Sequence, residues 1–247
     1  MARRDEILAY ADELLDTASF QDYGPIGLQV AGAAEVRKIV CAVSSSLDLF
    51  HRAAAAGAHL LLVHHGLFWN ADSRVVDDLL RDRLRVLFDA DVTLAAYHLP
   101  LDAHREVGNN ALLARALGVA VDGPFAAIGV GGRLSTPTSI DELARRLHGA
   151  LDREPLVFAH GRDVVERVAV VTGGGGRYLA DAAREGYDAF VTGEPEEPSL
   201  HLAKELGIHF LAGGHYATER LGVQALAEHL GERFGLEWEF LELPNPV

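Results

Sequence analysis

Six residues of this chain have the types and spacing that metal chemistry needs. His64 and His65 follow the apolar run 59–63, His98 and Asp102 follow 93–96, and His215 and Glu219 follow 208–212. The last two pairs share the form His-x-x-x-acid, which stacks an imidazole and a carboxylate on one face of a helical turn. Such a pair can bind one divalent ion, or the carboxylate can bridge two. In an open α/β sheet, ligands bind beyond the carboxyl ends of the strands. Three such ends would deliver His64, His65, Asp102, His215 and Glu219. Neighbouring histidines point to opposite sides within a strand, so His64 and His65 are expected to converge in an irregular loop after it. A nitrogen and oxygen donor set without thiolate suits Zn, Fe(II), Mn or Ni. Five ligands exceed one tetrahedral zinc site. They fit two ions roughly 3.5–4 Å apart with one bridging carboxylate. Taken one at a time, each residue also reads as a plain core or surface group, because short motifs recur by chance.

The remaining candidates carry less. His98 could be a ligand, but with Asp102 already placed a proton-transfer or supporting role is favoured. Glu194 stands at another strand end, where a supporting role and a plain loop acid are equally open readings. Gly173–Gly176 follow a strand yet match neither Gly-x-Gly-x-x-Gly nor a Gly-Lys-Ser/Thr loop, so a flexible turn is expected, not a phosphate cradle. His104, His148, His160, His201 and His229 have no informative spacing.

The elements that must position these residues come in a repeated order. A strand at 38–43, a helix at 47–56, Gly57 and a strand at 59–63 match 167–172, 178–185, Gly186 and 188–192. Lys38 and Arg167, like Gly57 and Gly186, stand 129 residues apart, so no gap is needed. Beyond them His98 and Asp102 match His215 and Glu219 at a separation of 117. Each copy is a parallel βαβ unit, and a repeat of this kind decides the fold class. The expected fold is α/β: two similar lobes related by internal duplication, 1–122 and 123–247, with the C-terminal part of the second free to pack back on the first, mostly parallel or mixed sheets, and the metal site in the cleft between the lobes. Helices are expected at 3–16 and at 140–151, the latter capped by Ser139 with Glu142 three residues on. A strand is expected at 126–134, another at 155–159 and a closing one at 237–243.

The whole chain narrows the function class. Its 247 residues suffice for a sizeable core. A formal net charge of −14 makes nucleic acid or an anionic membrane an unlikely partner. Cys41 is the only cysteine, so no disulfide and no thiolate metal cage forms within the chain. No apolar stretch has the length of a membrane span and no signal sequence opens the chain, which makes a cytoplasmic protein the expectation.

Four stretches, Gly27-Leu28-Gln29-Val30, His64-His65-Gly66, His98-Leu99-Pro100-Leu101-Asp102 and Gly213-Gly214-His215-Tyr216-Ala217-Thr218-Glu219, resemble the Nif-three-like family, whose members are often described as homologues of GTP cyclohydrolase one, type two. The resemblance runs almost end to end. It implies two α/β lobes, a toroidal homo-hexamer and a dinuclear metal centre in each subunit. His65 and Asp102 would hold one ion, His64 and His215 the other, and Glu219 would bridge them. The step from Asp122 to Ala126 leaves no room for the domain that some relatives insert. The implied function is a dinuclear metal-dependent hydrolase that opens the ring of a cyclic amide or nucleotide such as GTP, with His98 moving protons. The alternative is a non-catalytic metal-binding scaffold or adaptor of the same ring form. A ring that encircles DNA is disfavoured by the acidic charge.

Overall fold

The computed structural model describes every residue, Met1–Val247. The chain forms two compact units, one of 1–101 with 222–243 and one of 102–221 with 244–247. The expected division at 122/123 instead lies inside a strand of the second unit.

The first unit opens with β1 (Ala2–Arg3), α1 (Arg4–Leu14), β2 (Gly27–Val30) and β3 (Glu35–Val36), then β4 (Lys38–Ser44), α2 (Leu47–Ala55), β5 (Leu60–His65), α3 (Asp78–Asp89) and β6 (Thr93–Ala96). Strands β4, β5 and β6 are parallel neighbours, and β2 lies antiparallel on the outer side of β6. Residues 39–43 and 60–64 are buried without alternation. A strand covered on both faces needs that pattern, because helices pack on each side of a parallel sheet. The α2 helix starts where Ser46 Oγ accepts from the Leu49 N–H at 3.1 Å. It ends before Gly57, whose φ of +72° closes the turn into β5.

The short α4 (Leu99–Ala103) crosses the division between units after Leu101. The second unit continues with α5 (Asn109–Ala116), β7 (Val119–Phe125), β8 (Gly129–Thr138), α6 (Ile140–Leu151), β9 (Leu156–Phe158), β10 (Val165–Val171), α7 (Leu179–Arg184), β11 (Ala189–Thr192), α8 (Ser199–Leu206), β12 (His209–Ala212) and α9 (His215–Thr218). Here β10, β11 and β12 are parallel, with β9 antiparallel on β12 and the hairpin β7–β8 antiparallel on β10. The strand expected at 126–134 is therefore the second arm of a hairpin. Its turn holds Ala126 at a φ of +52°, and the first arm, β7, is a strand beyond those expected from the sequence. The α6 helix runs as expected, with Ser139 Oγ accepting from the Glu142 N–H at 3.3 Å.

The long α10 (Arg220–Phe234) passes the second division after Leu221, and β13 (Glu237–Phe240) then joins the first unit's sheet parallel to β4. The two sheets share a plan: three parallel strands, helical crossovers and an antiparallel edge strand. Ile39 faces Leu60 in one and Val168 faces Ala189 in the other, at the same separation. Gly186, at a φ of +76°, does for α7 what Gly57 does for α2. No helix is long and apolar enough to cross a membrane.

Candidate metal centre

In the first unit His64, His65 and His98 each bring a ring nitrogen within 4.8 Å of the others. His64 is fully buried. The β5 strand runs through both His64 and His65, so the expected irregular loop is absent: Ser44 still pairs with His65 in the ladder. The two rings nevertheless lie 4.7 Å apart at the strand's end. Each histidine is held through Nδ1. His64 Nδ1 donates to the Tyr97 carbonyl at 2.9 Å, and His65 Nδ1 shares a hydrogen bond with Ser44 Oγ at 2.9 Å. His98 Nδ1 lies 2.7 Å from Asp22 Oδ1. With Nδ1 engaged this way, an ion would take Nε2, the arrangement by which metal-binding histidines are usually oriented.

The Asp22 side chain is almost fully buried and also accepts from the Leu99 N–H at 2.9 Å. Burial pushes its carboxyl upward. The His98 hydrogen bond and charge, together with the Tyr23 and Leu99 N–H groups, outweigh this and hold it below the usual range. Trp69 meets the His98 ring edge to face at 5.3 Å. The Trp69 loop is tied to Asp22 and Tyr23 by Asn70, whose N–H donates to the Tyr23 carbonyl and whose amide donates to that of Asp22.

In the second unit Asp102 and Glu219 are both almost entirely buried and bring carboxylate oxygens within 4.8 Å of each other. His215 Nε2 lies 3.2 Å from Glu219 Oε2 and its Nδ1 lies 3.2 Å from Glu194 Oε1. Burial pulls the His215 imidazole down, but the hydrogen bonds and charges of Glu219 and then Glu194 raise it to about 9. The helical turn expected across His215 and Glu219 stops one residue short: α9 ends at Thr218, and Glu219 sits between it and α10. That break leaves the four-residue stacking of His215 and Glu219 intact. Asp102 Oδ1 accepts from Asn109 Nδ2 at 2.8 Å. Asn110 donates to the Asp102 carbonyl and accepts from the Thr172 N–H at 2.7 Å, which ties α5 to the end of β10.

The glycines after β10 fit closely under these ligands. A Cβ on Gly173, whose φ is +63°, would lie 2.0 Å from Glu219 Oε1 and 3.2 Å from His215 Nε2. The Gly173–Gly176 turn is thus a snug floor for the Glu219 and His215 side chains, more than a flexible connection. The donor set passes the chemical test for a divalent ion. Two buried carboxylates this close repel each other unless a cation or a proton compensates them, and imidazole nitrogens and carboxylate oxygens are donors that suit a divalent ion.

The chain matches the Duf34/NIF3 (NGG1p interacting factor 3) family over residues 2–246. It belongs to this family. A protein of Pseudomonas aeruginosa named "GTP cyclohydrolase 1 type 2 homolog" is 46% identical over 242 residues, covering 96% of each chain. One of the same name from Escherichia coli strain K12 is 44% identical over 246 residues, 99% of this chain and 100% of that one. Among solved structures, "protein ybgI, unknown function" superposes with a TM-score of 0.96 at 44% identity. TTHA1606 of Thermus thermophilus gives 0.93 at 39%, and both structures cover the full length of this chain and of their own. The resemblance carried by the four short stretches therefore extends to the whole family member.

Sequence reasoning missed Asp22, Ser44, Asn109, Asn110 and Thr172. Asp22 lies in a loop 76 residues before the His98 that it holds. The one legible signal was the acidic residue just before Tyr23-Gly24-Pro25. Glu194, left open between two roles, touches His215.

Proposed function

We propose that His64, His65, Asp102, His215 and Glu219 hold two divalent ions and that the protein is a metal-dependent hydrolase acting on a cyclic amide or nucleotide. His65 and Asp102 would bind one ion, His64 and His215 the other, and Glu219 both. Zn, Fe, Mn and Ni all suit the donor set. The observation that carries this reading is the uniform fixing of the histidines through Nδ1, together with the near-complete burial of the Asp102 and Glu219 carboxylates. When bound, such ions supply Lewis-acid polarisation and a water acidified toward neutral pH. The chain's own residues do the rest. His98, oriented by Asp22, moves a proton at Nε2. Trp69 packs edge to face against it. Relatives carry a cyclohydrolase name, which supports a ring-opening reaction on a GTP-like substrate.

A homo-hexameric ring is the assembly we infer, supported by the family resemblance. We also infer an internal duplication, supported by the shared strand plan and by equal strand separations in the two sheets.

The near-complete burial of His64, Asp102 and Glu219 favours a second reading, in which the ions serve only to hold a scaffold together. One experiment separates the two. Protein purified without a histidine tag is analysed for metal, loaded with each candidate ion, and screened against GTP and cyclic amides. Turnover that follows metal content and falls with His98→Ala supports the hydrolase. Two tightly bound ions with no turnover across the screen would favour the scaffold.

A further inference from the structure

One cavity in the protein touches none of the candidate ligands. It measures about 650 Å³ and lies entirely in the second unit, between the β7–β8 hairpin, α5 and the loop after α4. That volume is in the range of small-molecule sites, roughly 300–1,000 Å³. Its wall is mostly apolar, with Ala111, Val119, Val121, Pro124, Ile128 and Val130 among the lining residues. Three charged side chains line it: Arg105, Arg115 and Asp122. Neither guanidinium has an ion pair or hydrogen bond with any protein group, and Asp122 pairs with neither.

We propose that this cavity is a binding site for a small amphipathic anion, a molecule with an apolar body and one carboxylate, sulfonate or phosphate group. The body would lie on the valine, proline and isoleucine wall. The anionic group would take Arg105 and Arg115, whose planar forks suit oxygen pairs. The overall charge of −14 works against anions at long range. Attraction must therefore come from these two local charges, so binding weakens with salt. The proposal is independent of the metal reading.

Anilinonaphthalene sulfonate has an apolar body and one sulfonate, so it serves as the probe, titrated into the purified full-length protein in its native assembly. The expected result is saturable binding at one site per chain, weakened about tenfold or more when both arginines become alanine. Val121→Trp leaves the arginines in place but fills the cavity, and should also abolish binding. Arg81→Ala, whose guanidinium pairs with Asp78 and Asp82 on α3, should bind as the parent does. Circular dichroism checks the fold of every variant. The proposal is overturned if binding is non-saturable, or if Val121→Trp and the double variant bind like the parent. It is equally overturned if either variant changes the assembly size in light scattering, since the face would then be a contact between copies of the chain.

Discussion

Glu219 differs from the other proposed ligands because it would touch both ions. Glu219→Gln removes the negative charge and one of the two carboxylate oxygens, leaving an amide. It also removes the charge that relieves repulsion between two dications. Metal analysis should therefore find both ions weakened in Glu219→Gln, whereas His64→Ala should lose one and keep part of the other. A Glu219→Gln protein that kept two tight ions would rule out the bridge. The His215 imidazole makes a second test. Its pKa lies near 9 in the folded protein against an ordinary 6.5. In metal-free protein, the stabilisation from its Glu219 and Glu194 contacts is complete below pH 6.5 and fades as pH rises through 9. A ligating imidazole must be neutral at the nitrogen that binds the ion. At pH 7 metal uptake should then release a proton from His215, seen in calorimetry as a heat that varies with the buffer's ionisation enthalpy. A buffer-independent heat would count against His215 as a ligand. Asp22 behaves in the opposite sense. Its folded pKa is lowered, so its contribution is present above about 3.8 and is lost as pH falls through the folded value. Asp22→Asn should cost roughly 1–3 kcal/mol at pH 7 in urea unfolding, with the difference from the parent shrinking toward pH 3.

Among the elements, the turn after β10 is the most demanding. Gly173 has a positive φ and no room for a Cβ beside Glu219. Gly173→Ala adds backbone strain of about 1–3 kcal/mol and displaces the Glu219 carboxylate. Reduced metal content together with a lower melting temperature is the expected outcome, and a variant with full metal content would show that the turn yields freely. The strand ends work differently. Parallel strands with helical crossovers place their carboxyl ends along one edge of each sheet. His65, His98, Gly173, Glu194 and His215 all follow from that rule. The sequence showed which strands end there, because the apolar runs are bounded by glycines and histidines.

For the whole molecule, chelation is the broadest test. Buried carboxylates lose their compensating charge when ions leave, so dialysis against a chelator should lower the melting temperature and re-addition of metal should restore it. An unchanged melting temperature would mean that the folded state does not depend on metal. Light scattering should find six chains per particle, and a stable monomer at micromolar concentration would remove the ring from consideration. The two compact units are not the two halves of the sequence. The helix α10 and strand β13, late in the chain, belong with the first sheet. The helix α5 belongs with the second, where Leu113, Ala114 and Leu117 join a core with Leu143, Leu147 and Val168.

By itself the sequence determined the chemical types of the proposed ligands and the strand ends on which they stand. Both follow from local pattern: apolar runs of strand length, helix caps such as Ser139, and a histidine four residues before an acid. It also displayed the equal spacings from which a repeat is inferred, because spacing needs no coordinates. Only the tertiary structure decided which groups hold those ligands and His98. Asp22 on His98, Ser44 on His65, Asn109 on Asp102 and Glu194 on His215 are hydrogen bonds between residues 7 to 76 apart. No periodicity announces such pairs, since they arise where separate strand ends and loops are packed side by side. The hairpin β7–β8 was hidden for a related reason. Its first arm, Val119–Phe125, is an edge strand with charged, glycine and proline positions and no apolar run, so its partner strand defines it. The assignment of α10 and β13 to the first sheet is likewise set by which apolar faces meet, and chain order does not record that.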